Sequence, residues 1–178
     1  MFKKMNLLLT VVALGMLLIM PANAHTPILY VDDYGDGTIF LEGGFSDGSS
    51  AAGVEILLVE KAPFEGDTKI RDRYIWLIFT NEYFKNLRDD FIESTRMEDN
   101  KTVVFTEDSQ KADFGAIKAE LYQEKHLIIF RIALDEYSLL TLPKPDTDYF
   151  VVFNAGPGHI VERDGPVLTE EERSFLGE

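Results

Sequence analysis

Beyond residue 24, short apolar runs rich in β-branched and aromatic residues, none longer than eight, recur along the chain, each closed off by Gly, Asp, Asn or Pro. That pattern favours strands joined by turns over long helices. The runs fall at residues 28–32, 38–43, 54–60, 74–80, 102–106, 116–122, 127–134 and 149–154. Eight short strands without a regular strand-helix alternation point to an all-β fold, an immunoglobulin-like antiparallel sandwich. One helix is expected to interrupt it, because Tyr83, Phe84, Leu87, Phe91 and Ile92 follow helical spacing across residues 81–96, with Thr80 or Asn81 as the cap. The face formed by Phe84, Leu87 and Phe91 suits core packing better than docking. A short C-terminal helix is expected after Thr169, which stands three residues before Glu172 in a capping-box pattern.

The first 24 residues read as a signal peptide rather than as part of the fold. Lys3 and Lys4 precede an uncharged apolar run over residues 7–20, and Pro21 and the triplet Ala22, Asn23, Ala24 follow it. The run has 14 residues, whereas a bilayer-spanning helix needs about 20. Cleavage is therefore expected before His25, giving a periplasmic or secreted product, residues 25–178, that forms one domain with no stable membrane insertion. The chain contains no cysteine, which removes a lipoprotein anchor, disulfide scaffolding and thiolate chemistry together. A domain of this size can bury a sufficient core without such staples.

Two of the 17 Lys and Arg lie in the leader, leaving 15 against 31 Asp and Glu, a formal charge of −16 for the exported part. Such a field repels nucleic acid and anionic membrane surfaces and attracts cations.

Three motifs match a chemistry by letters and fail by context. Gly44-Phe45-Ser46-Asp47-Gly48 has the nucleophile-elbow spacing, with Asp146 and His159 downstream, but an elbow must lead from strand to helix and this one leads into a strand. Asp32, Tyr34 and Asp36 begin like a calcium loop, yet Tyr34 cannot ligate and Gly43 stands where the loop needs a glutamate. Gly156-Pro157-Gly158 lacks the third glycine and the helix of a dinucleotide fingerprint. No catalytic constellation remains, and the chain is not expected to be an enzyme.

The histidines are His25, His126 and His159. Cleavage after Ala24 would give His25 a free amine, with a pKa of about 7.7 to 8.0, which with the imidazole Nδ1 can chelate a metal ion. Imidazole and amine nitrogen suit nickel, copper or zinc better than calcium or magnesium. A second ligand is expected from His159, in the small-residue turn Ala155, Gly156, Pro157, Gly158 at a sandwich end, with Glu162 three residues on. His126 follows Gln123, Glu124 and Lys125 and reads as an exposed residue at a hairpin tip.

Residues 41–56, LEGGFSDGSSAAGVEI, resemble the opening of periplasmic immunoglobulin-like or prealbumin-like domains associated with bacterial nickel and cobalt uptake, with Ser50 where a proline is usual. Residues 149–159, YFVVFNAGPGH, resemble the closing strand of those domains and its Gly-Pro-Gly-His turn. The two stretches cover under a fifth of the chain, and residues 81–96 match nothing in that family. The resemblance implies a transition-metal-binding accessory protein, for nickel or cobalt, working beside membrane metal transporter components, with His159 and His25 as ligands. Two alternatives compete with it. One is a sandwich module that binds protein or carbohydrate without metal, and the other is a copper protein that holds its ion through the amino-terminal histidine.

Overall fold

A computed structural model of the chain describes residues 25–97 and 126–176. Seven strands form two antiparallel sheets. They are β1 (Pro27–Asp33), β2 (Thr38–Phe45), β3 (Glu55–Pro63), β4 (His126–Ala133), β5 (Leu139–Pro143), β6 (Tyr149–Asn154) and β7 (Ile160–Asp164). The first sheet has the order β1-β2-β5 and the second β4-β3-β6-β7. Three α-helices accompany them: α1 (Lys69–Thr80) and α2 (Lys85–Met97) between β3 and β4, and α3 (Glu170–Leu176) at the end. The expected leader and the runs at 102–106 and 116–122 lie outside the described residues, among which no helix is long and apolar enough to cross a membrane.

Alternation decides which side chains meet between the sheets. Leu29, Ile39, Leu41 and Leu142 from the first sheet join Ile56, Leu58, Phe130, Ile132, Val151 and Phe153 from the second in one core. The intervening residues of the second sheet, Leu57, Val59, Ile128 and Val152, form a smaller cluster. Asp33 and Asp36 cap the β1–β2 turn, accepting from the N–H groups of Gly35 and Thr38. The segment that resembles a calcium loop is thus a hairpin turn.

The run at 74–80, expected as a strand, is the second half of α1, so the described residues between β3 and β4 hold two α-helices where one was expected. Its sequence is locally strand-like, but tertiary packing overrides that propensity. Arg71, Tyr74, Leu77 and Ile78 are the buried residues of this helix, at helical spacing. Tyr74 meets Phe130 of β4 with ring centroids 5.4 Å apart and donates its hydroxyl to the Pro143 carbonyl at 2.7 Å. At Asn81 the backbone turns to an extended conformation, and the side chain accepts from Tyr83 N–H, opening a 3-10 turn (Glu82–Phe84) that leads into α2. The expected cap and helix are therefore present, and Phe84, Leu87 and Phe91 lie in the core. Phe91 stacks on Phe130 with centroids 5.0 Å apart.

The capping box of α3 also forms, with Thr169 N–H and hydroxyl donating to Glu172 Oε2, each at 2.9 Å. Strands β5 and β7 were not expected from the sequence. His126 is the first residue of β4, half-buried, paired with Pro63 and bonded through Nδ1 to the Ala62 carbonyl. It is a strand residue and not a hairpin tip, because β4 starts here against Pro63, the last residue of its partner strand β3.

Candidate metal site

One end of the two sheets gathers the start of β1, the loop leaving β2 and the β6–β7 hairpin. The Ser46 letters that imitate a nucleophile elbow have a different role. Thr26 N–H donates to Ser46 Oγ at 3.1 Å, and Ser46 N–H donates to the Thr26 carbonyl at 2.9 Å. This reciprocal pair extends the β1–β2 ladder one step beyond Pro27 and Phe45 and fixes the backbone next to His25. The loop itself is held by Asp47, whose Oδ1 accepts from the N–H and the hydroxyl of Ser49 at 3.0 and 2.7 Å. It then runs into β3, as expected of a turn between strands.

The second oxygen of Asp47 reaches the histidine. Its Oδ2 lies 2.6 Å from His25 Nδ1, in a pair about half exposed to solvent. The Ser49 bonds, with a smaller contribution from His25, hold the Asp47 carboxyl below its usual range, so it is ionised at neutral pH and can only accept.

The β6–β7 turn is built from Gly156 and Gly158, both with positive φ (96° and 76°), which a side chain would strain. His159 N–H donates to the Gly156 carbonyl, and Ala155 N–H donates to the His159 carbonyl, closing the hairpin. Its base is fixed by Glu55, which accepts from Asn154 Nδ2 at 2.7 Å and also from Arg131 Nε. The ring of His159 is oriented by its own loop, with Nδ1 3.3 Å from the Pro157 carbonyl.

His25 and His159 consequently line a single open cavity of about 250 Å³, with Phe45, Ser49 and Ala155. Phe45 packs edge-on against Phe153 at 5.8 Å and ties the cavity wall to the core. Glu162 is placed elsewhere. It sits in β7 opposite Val152, on the face of the second sheet that carries the smaller cluster, and it does not line the cavity. His126 pairs with Pro63, at the opposite end of β3 from Glu55. Asp47 is the residue that sequence reasoning passed over, since it entered only as a letter of the rejected nucleophile-elbow pattern.

The donors present are two imidazoles and one carboxylate already bonded to one of them. Among the described residues no group of three or more His, Asp or Glu side chains is placed to hold a metal ion together. Two imidazoles at a cavity mouth fit the nitrogen-preferring transition metals and leave further coordination positions for water or a partner's ligand. A second cavity, lined by Arg73, Tyr74, Lys144, Asp146 and Arg173, is of another kind, because Asp146 pairs with Arg73 at 3.0 Å and with Arg173 at 3.7 Å. No family model matches the chain, and no curated protein or solved structure matches it.

Proposed function

We propose that this chain is an exported, non-enzymatic transition-metal-binding protein, a periplasmic accessory component of a nickel or cobalt import system. The observation that carries the reading is that His25, just before β1, and His159, just before β7, far apart in sequence and next to strands of different sheets, line one cavity. The open coordination suits handing an ion on better than storing it, since few protein ligands mean easy release. Nickel and cobalt over copper or zinc rests on the resemblance of residues 41–56 and 149–159, not on the ligand type. We read the fold as immunoglobulin-like, which the strand orders β1-β2-β5 and β4-β3-β6-β7 support. They are what a Greek-key sandwich gives when its third and fourth strands sit beside its last two.

A second reading, an interaction module without metal, is favoured by the exposure of Trp76, Tyr83 and Phe175, since large aromatics on a surface often mark contacts with partners.

Calorimetric titration of the leader-processed protein with nickel, cobalt, copper and zinc separates the two. The metal reading expects binding at micromolar or tighter levels, weakened at least tenfold by His25→Ala and by His159→Ala. Failure of the unmodified protein to bind any of these ions below millimolar concentration would favour the interaction module.

A further inference from the structure

We infer that the ion is held through Nε2 of both His25 and His159, with Asp47 as the positioning residue for His25, so that the free amine of the exported chain is not needed. This rests on the metal-binding reading above and concerns how the same site is built.

The argument is one of acceptors. A carboxylate and a backbone carbonyl have no hydrogen to give, so any ring nitrogen bonded to either must carry the proton. His25 Nδ1 faces Asp47 Oδ2 at 2.6 Å, and His159 Nδ1 faces the Pro157 carbonyl at 3.3 Å. Both rings are thereby set in the same tautomer, Nδ1 protonated and Nε2 with an open lone pair. Metal-ligating histidines are oriented in this way, one nitrogen on the metal and the other N–H on a carboxylate or a carbonyl. Here two such rings line one cavity.

Chelation by the His25 amine and Nδ1 requires the same nitrogen that Asp47 already occupies. The ring would have to leave Asp47, although the Thr26–Ser46 pair and the Ser49 bonds hold both partners in place. Coordination through Nε2 keeps every one of those bonds. It also explains why the loop after β2 carries an aspartate whose second oxygen is directed at the start of the chain while the first holds the turn.

Two variants distinguish the modes. An alanine inserted between Ala24 and His25, with processing after Ala24 checked by amino-terminal sequencing, displaces the free amine by one residue. Asp47→Asn keeps the Oδ1 that accepts from Ser49 and alters only the oxygen facing His25. Nickel and cobalt affinities are measured by calorimetry on proteins whose melting temperatures match the unmodified one. The metal-bound ring nitrogen is identified by nitrogen-15 imidazole shifts with zinc as the diamagnetic probe. The expected result is unchanged affinity for the insertion, a loss of about 10- to 100-fold for Asp47→Asn, and zinc on Nε2 of both rings. Binding abolished by the insertion but kept in Asp47→Asn, with zinc on His25 Nδ1, overturns the inference and leaves the metal-binding function standing. An unmodified protein that binds none of these ions removes the function and the inference with it.

Discussion

Lys144 Nζ lies 2.5 Å from Glu172 Oε1 and 2.5 Å from Asp33 Oδ1, with the lysine side chain 1% exposed. A buried ammonium is tolerable only when paired, and this one ties three separate pieces together: the β1–β2 turn, the loop after β5, and α3. Glu172 is also the reciprocal partner of Thr169 in the helix cap. Lys144→Ala should therefore cost about 3 to 5 kcal/mol of unfolding free energy, measured by urea denaturation. Exposed Lys69, which pairs only with Asp67 on the surface, should lose no more than about 1 kcal/mol on the same change.

The same cluster sets a pH dependence with a definite sign. The bond from Lys144, helped by Thr169 and opposed by burial, holds the Glu172 carboxyl below its ordinary value of 4.5. A carboxyl depressed in the folded state contributes stability above its unfolded value and loses it as pH falls through the folded one. For Lys144, burial works downward, but the bonds to Asp33 and Glu172 outweigh it and raise the ammonium above 10.5. Its contribution is complete below that value and disappears as pH rises through the raised one. The contribution of this pair to the melting temperature should thus be full and constant between the two ordinary values and be lost beyond both. Glu172→Gln should flatten the acid limb.

Ser138 is the non-glycine residue with positive φ, 66°, among the described residues. Its hydroxyl accepts from the buried Ala51 N–H at 2.9 Å and lies 3.0 Å from Ser50 Oγ. Ser138→Ala leaves the Ala51 N–H unpaired and should cost about 1 to 3 kcal/mol. Ser138→Gly loses the same bond but relieves the backbone, so chemical denaturation should find it the milder of the two.

Five strands of the two antiparallel sheets were legible: β1 and β2 alternate because one face of each is buried, whereas β3, β4 and β6 are continuous apolar runs because both of their faces are covered. The missed elements have physical reasons. In α1, the residues Tyr74, Ile75, Trp76, Ile78, Phe79 and Thr80 favour a strand individually, and burial of Tyr74, Leu77 and Ile78 in the core, with Tyr74 against Phe130, goes with a helix instead. Strand β5 is five residues ending in Pro143, and β7 is an edge strand ending in Glu162, Arg163 and Asp164, whose charged side chains hide its pairing with β6.

At the site, the sequence singled out His25 and His159 through a cleavage pattern and a turn. It misplaced Glu162 near them, because residue spacing across a hairpin does not show which face of the sheet a strand residue takes. Asp47 was invisible as a partner of His25, since the Thr26–Ser46 bonds that bring them together are tertiary.

The most direct measurement is a proton NMR titration with paramagnetic cobalt(II), following the ring signals of the three histidines. His25 and His159 should broaden together at substoichiometric cobalt, while those of His126, at the opposite end of β3 and bonded to the Ala62 carbonyl, stay sharp. Equal broadening of all three rings, or none at stoichiometric cobalt, would contradict a metal site between His25 and His159.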